Sequence, residues 1–276
     1  MPRPPLLPFV LVCVCSAAAA EGPCDDASAA IPGRPASAAA GSEFVAGLGG
    51  AGDAERDAAV REALVAGNVP EFLRRLRPVV VRRALAGGIP HALTLCVMPD
   101  YLAVGDDDDF VRVPLGLPSA LAVAARFGLV LPTRRIVDLV YRAAAVRLAP
   151  LPLPAGDAMR TIGYVWRHQL LVEAERHAIG ARVGELTAGQ KKDLVLTPRL
   201  RQFPGRVAIY GWHRADGLPI QPLSTVHGER YADYSHGVRL VGERVWIDGA
   251  PRSIFDVLAD PVLAPLVSDE GPFAAP

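Results

Sequence analysis

Prolines at alternate positions in Ala149-Pro-Leu-Pro-Leu-Pro154 constrain this chain more than any other feature. A pyrrolidine ring fixes φ and removes an N–H donor, so the stretch runs extended and no helix crosses it. It is the one internal boundary the sequence offers. It sets residues 53–148, an α+β N-terminal part, apart from residues 157–276, with 149–156 as a Pro-rich linker. The chain has 276 residues and is 51% hydrophobic, enough for one large domain or two small ones, each with a real core.

The first residues follow a different logic. Met1-Pro-Arg3 supplies a positive charge, Leu6 to Cys15 is apolar, and Ala17 to Ala20 offers small residues for cleavage. That is the layout of a secretory signal peptide over residues 1–20, and the apolar run is too short for a transmembrane anchor. Pro2, Pro4, Pro5 and Pro8 argue against a buried helix there. Val12 and Val14 stand where a lipobox before Cys13 or Cys15 would have a small residue. The chain is therefore expected to be secreted or periplasmic. Residues 21–52, rich in Ala, Gly, Pro and Ser, read as a flexible leader. Cys24 and Cys96 remain after cleavage. Cys96 lies in the apolar run Leu93-Thr-Leu-Cys-Val-Met98 and reads as a small buried hydrophobe, so a disulfide framework is not expected.

Basic and acidic residues both number 29, giving zero net charge. A protein that holds a phosphate backbone usually carries a basic excess, so no nucleic-acid partner is expected. Of the 29 basic residues only Lys191 and Lys192 are lysines. A compact ammonium with an adjustable pKa differs from a guanidinium, so Lys191 is a secondary site candidate beside the plainer reading of a solvated loop before a strand.

Along the chain, helical spacing over 53–66 ends at Gly67-Asn68, and Pro70 opens a short helix through Phe72, Leu73 and Leu76. Arg74, Arg75, Arg77, Arg82 and Arg83 interleave with apolar residues, as on a solvated helix face and strand edge. Residues 92–97, 101–104 and 110–114 are strand-like. Gly105-Asp-Asp-Asp-Asp109 between the last two fits a polar hairpin tip, with a calcium site as the alternative. Helices are expected over 118–127 and 132–145, and a long one over 157–179. On that helix Glu173 precedes His177 by four residues, a spacing that allows a surface pair. The remainder is β-rich, with strands at 194–196 and 207–210. A hairpin of 238–241 and 244–247 turns at Gly242-Glu243, and a further turn falls at Asp248-Gly249. A short helix over 251–258 closes the chain. The predicted class is α+β: a helical N-terminal half packed on a mixed or antiparallel β-rich C-terminal half.

Chemistry concentrates at the histidines. Three of six fall within residues 213–236, in Tyr210-Gly-Trp-His213 and in His227-Gly-Glu-Arg-Tyr-Ala-Asp233-Tyr-Ser-His236-Gly237. Imidazole transfers protons near neutrality and is the commonest metal ligand. His227, Asp233 and His236 are the leading candidates, with Ser235 as a weak nucleophile and His213 completing the group. They support acid–base chemistry in which the carboxylate orients an imidazole that activates water or Ser235. The alternative is a metal site of His227, Asp233 and His236; the cofactor is left open, with zinc as one candidate. A structural reading stands beside both, in which Asp233, Tyr231 and Tyr234 simply satisfy the histidines.

The order His227-Gly228, Ser235-His236-Gly237, Arg239-Leu240 resembles the active-site signature of the L,D-transpeptidases of the YkuD type, secreted cell-wall enzymes. There a His-Gly precedes a Ser-His-Gly-Cys-Val/Ile-Arg block, and the cysteine is the acyl-accepting nucleophile. The resemblance is confined to residues 227–240 and implies envelope chemistry. The nucleophile is missing: Val238 follows Gly237 and Arg239 comes one residue early, which in a strand sends later side chains to the opposite face. The sequence thus points to an exported hydrolase or transferase acting on an envelope or extracellular polymer. The alternative is a non-catalytic binding protein presenting Trp212, Tyr231 and Tyr234 to a sugar or protein.

Overall fold

The computed structural model describes residues 23–25, 27–28 and 30–274, so the expected signal segment with Cys13 and Cys15 lies outside the described residues. Within them no helix is long and apolar enough to cross a membrane. The first helices are α1 (Gly41–Gly47) and α2 (Asp53–Val65). β1 (Arg77–Ala84) and β2 (Pro90–Val97) then pair antiparallel in unbroken register, Arg77 opposite Val97 and Ala84 opposite Pro90. β3 (Ala103–Gly105) and β4 (Phe110–Arg112) form the expected hairpin around the four aspartates. Those carboxylates mostly accept N–H groups: Asp106 those of Asp108 and Asp109, Asp107 that of Phe72, and Asp109 that of Ser42.

α3 (Leu117–Phe127) begins with Pro118 in its first turn and stops at Gly128, where φ is +64°. β5 (Leu129–Val130) follows, then α4 (Arg134–Ala143), whose Thr133 hydroxyl accepts the Ile136 N–H as an N-cap. β6 (Val146–Arg147) leads into the prolines. Beyond them α5 (Ile162–Ala178) is capped by Thr161, and the residues from Asp157 to Arg160 form a separate 3₁₀ turn. The later elements are β7 (Thr187–Ala188), β8 (Lys192–Leu194), α6 (Arg199–Gln202), β9 (Ile209–His213) and β10 (Pro219–Ser224). They end with β11 (His236–Gly237), β12 (Val241–Gly242), β13 (Arg244–Ile247), β14 (Ala250–Ser253) and α7 (Ile254–Ala259).

The fold is α+β, but it is not divided into a helical half and a β half. β2 lies at the centre of a six-stranded antiparallel sheet of order β14-β13-β2-β12-β5, with β1 on its other side. A second sheet runs β10-β9-β8-β11, in which only β8 and β11 are parallel. The expected hairpin of 238–241 and 244–247 does not form. β12 and β13 instead lie end to end along β2, Val241 opposite Val97 and Trp246 opposite Thr94. Asp248 and Gly249, at φ +53° and +83°, make the predicted turn, between β13 and β14.

Four further expectations are corrected. The expected leader is structured past residue 30: Arg34 donates to Asn68 Oδ1 and the Gly105 carbonyl, and Gly41 is buried against the Phe110 backbone. The Pro-rich segment does not separate two cores. One apolar cluster joins Val60, Leu95 and Phe127 to Val165, Val241 and Phe273, and Leu153 of the segment is buried in it. Cys24 and Cys96 form a disulfide. Cys96 is buried as predicted, but its sulfur is bonded. Glu173 pairs with Arg112 and Arg176 rather than His177, joining Asp100 as a second carboxylate on the buried Arg112.

Candidate functional site

Lys192 stands at the centre of the second sheet, opposite Gly211 of β9 on one side and His236 of β11 on the other. Its ammonium lies 4.9 Å from the centre of the Trp212 ring, and burial lowers its pKa. Trp212 has φ +57°, a left-handed conformation that costs a bulky residue about 1–2 kcal/mol, so packing must hold it there. Gly237 is required by close approach: a Cβ would fall 2.5 Å from Cδ1 of Tyr101 and 2.8 Å from Cβ of Lys191.

Asp233 organises the histidine loop. Its Oδ1 accepts the Ser235 N–H at 2.8 Å and the Ser235 hydroxyl at 2.5 Å, and its Oδ2 accepts the Tyr231 hydroxyl at 3.0 Å. Burial opposes its ionisation, but His236, the two Ser235 donors and Lys192 together hold its pKa below the ordinary value. His236 Nε2 is 3.9 Å from Asp233 Oδ2, and neither ring nitrogen has a hydrogen-bond partner among the described residues. Burial keeps this imidazole neutral despite the carboxylate. His227 is half-buried and stacks on Tyr231, ring centres 4.0 Å apart, with the His236 ring 6.2 Å away. Burial again lowers its pKa, aided by Lys192 and Arg206. The loop therefore has a half-buried front, His227 and Tyr231, and a buried back, His236 and Asp233.

Not every predicted residue joins this group. His213 is bound instead to Asp138 of α4, Nε2 to Oδ1 at 3.0 Å, and stacks on Tyr141 at 4.5 Å. Lys191 is buried, donates to the Tyr234 carbonyl, and is lowered to about 7 by burial and by Arg112. It is an interior cation rather than a solvated loop residue. Ser235 is buried with its proton given to Asp233, so it is not placed as a nucleophile. Arg239, aligned by the signature, is buried and donates to the carbonyls of Met98 and Thr187. Trp212 and Tyr234 are buried and offer no face to a sugar. The metal set of His227, Asp233 and His236 is not assembled. Both Asp233 oxygens already accept protein hydrogen bonds, and no three His, Cys, Asp or Glu side chains among the described residues are grouped to hold a metal.

Several residues of consequence carried little sequence signal. Asp138 reads as one polar position on an amphipathic helix. Asp193, which accepts the Tyr101 hydroxyl at 2.8 Å and is raised to about 6 by burial, was marked only by its neighbouring lysines. No protein family, curated protein or solved structure gives a significant match to the chain.

Proposed function

We propose that this chain is an exported hydrolase or transferase acting on an envelope or extracellular polymer, with His227 as the proton-transfer group at the surface. The observation that carries the reading is a half-buried imidazole backed by a buried one. His227 stands 6.2 Å from His236, a ring whose nitrogens no described group engages, and the ionised Asp233 lies against the back ring. Burial holds both imidazoles neutral; the half-buried His227 accepts a proton from water, while His236, lowered to about 4, stays neutral behind it. With the Ser235 hydroxyl hydrogen-bonded to Asp233, water is the better nucleophile, and in this reading His227 activates it. Export is supported by the apolar N-terminal run and by the Cys24–Cys96 bond, which suits an oxidising compartment. The binding-protein reading is weakened because burial of Trp212 and Tyr234 leaves only Tyr231 of its aromatic surface.

The test is digestion of purified cell-wall sacculi and of extracellular polysaccharides, with products resolved by chromatography and mass spectrometry. His227→Ala should lower product formation about 100-fold or more while leaving the thermal midpoint unchanged. Wild-type turnover by His227→Ala would overturn the assignment. Polymer capture without any product would favour the binding protein.

A further inference from the structure

We infer that the cleft between α4 and the β9–β10 hairpin is a binding site for a small molecule that carries a carboxylate beside an N–H or O–H donor. The cleft measures about 470 Å³, within the range of small-molecule sites, and Asp138, Tyr141, Arg142, Arg147, Tyr210 and His213 line it. It shares no residue with the His227–His236 loop, so it does not rest on the acid–base reading.

Charge selects the ligand. Arg147 is fixed in place: Nε donates to the Tyr141 carbonyl at 3.0 Å, the guanidinium also donates to the Arg142 carbonyl at 2.6 Å, and its carbon sits 5.3 Å from the Tyr141 ring centre. All those partners are neutral, and no described carboxylate pairs with it. Arg142 is two-thirds exposed and only 3.8 Å from Asp138 Oδ2. Asp138 is already engaged by His213 and by the Tyr210 hydroxyl at 2.9 Å, and Asp216 at the rim is paired with Arg214. Two guanidiniums therefore face the cleft against one shared carboxylate. A pre-ordered guanidinium without a counter-charge is suited to a carboxylate, which it can grip through two N–H groups.

Hydrogen bonding selects the second feature. Asp138 stays ionised despite burial because His213 and Tyr210 donate to it. It thereby keeps the His213 proton on Nε2, and the stack on Tyr141 fixes the ring. Nδ1 is left as an acceptor with no hydrogen-bond partner among the described residues. A donor next to the ligand carboxylate meets it, as the amide N–H of an N-acylated peptide end or the hydroxyl of a sugar acid does.

Calorimetric titration with N-acetyl-alanyl-alanine and with glucuronate, each against its neutral counterpart (the peptide amide, glucose), tests the inference. At least one carboxylate should bind saturably, and about tenfold more tightly than its counterpart. Which one binds distinguishes a peptide end from a sugar acid. Arg147→Met should weaken binding about tenfold and the exposed Arg142→Gln about threefold. Should Arg147→Met fail to fold, the ¹⁵N resonance of His213 Nδ1 in the wild-type protein must move on titration. Absence of saturable binding by both carboxylates, equal binding of the neutral counterparts, wild-type affinity in Arg142→Gln, or a stationary Nδ1 resonance would each overturn it.

Discussion

His168 shows what an interior imidazole does to this protein. It is buried on α5, neither ring nitrogen meets a described hydrogen-bond partner, and burial with repulsion from Lys191 and Arg112 takes its pKa to about 2. In the unfolded chain it titrates near 6.5. Below that pH the unfolded state binds a proton that the folded state refuses, so stability falls as pH drops. His236 acts in the same direction, and Asp233, lowered in the fold, joins below its ordinary range. Asp193 opposes them: raised to about 6, it stabilises the fold only where the folded carboxyl is protonated, and that contribution fades as pH climbs from about 4 to 6. The sum is a loss of stability from about pH 6.5 downward. His168→Leu should reduce that loss and raise stability at neutral pH by about 1–3 kcal/mol, the cost of an unsatisfied buried polar group. Urea unfolding at pH 7.5 and pH 5 measures both. A variant that is less stable at pH 7.5, with an unchanged pH slope, would refute the account.

Among elements, β11 is two residues long, yet it presents His236 and holds the site to β8. Its register depends on Gly237 lying against Tyr101 and Lys191. Gly237→Ala is expected to cost about 1–3 kcal/mol by overpacking, with any turnover falling alongside. A urea midpoint equal to that of the wild type would contradict the close approach. β4 is tied to α5 through Arg112, which pairs with Asp100 at 2.6 Å and Glu173 at 2.7 Å in the interior. Arg112→Ala leaves the buried Asp100 without its cation and Glu173 with Arg176 alone, and should destabilise by about 3–5 kcal/mol. The hairpin of β3 and β4 was readable from alternation and its acidic tip. The partner of β4 on α5 was not, because a charge on a strand does not name the helix that will neutralise it.

At the level of the molecule, one core receives apolar side chains from both sides of the prolines, and the Cys24–Cys96 bond joins positions separated by 72 in sequence. Closing so long a loop in the unfolded state is worth about 2–4 kcal/mol. Reduction should therefore lower the thermal midpoint by roughly 4–16 °C, read by calorimetry with and without reductant. A midpoint indifferent to reductant would mean the bond constrains nothing that unfolding releases. The extended prolines act as a strap here, since the Leu153 N–H donates to the Tyr234 hydroxyl at 2.7 Å, beside the histidine loop.

Local chemistry was legible in the residues: the helices α3 and α4, the Asp248-Gly249 turn, the acidic hairpin, and the proximity of His227, Asp233 and His236. Each depends on neighbours a few positions away, where steric and hydrogen-bonding rules act directly. The pairing of β2 with β12 and β13, the capture of His213 by Asp138 on α4, the bond between Cys24 and Cys96, and the burial of Ser235 and Lys191 were not legible. Each is chosen by which apolar faces close over one another across long stretches of chain, and burial then decides which charges need a partner. The same close-packing carried His213 out of the loop where its spacing had put it and into a cleft of its own.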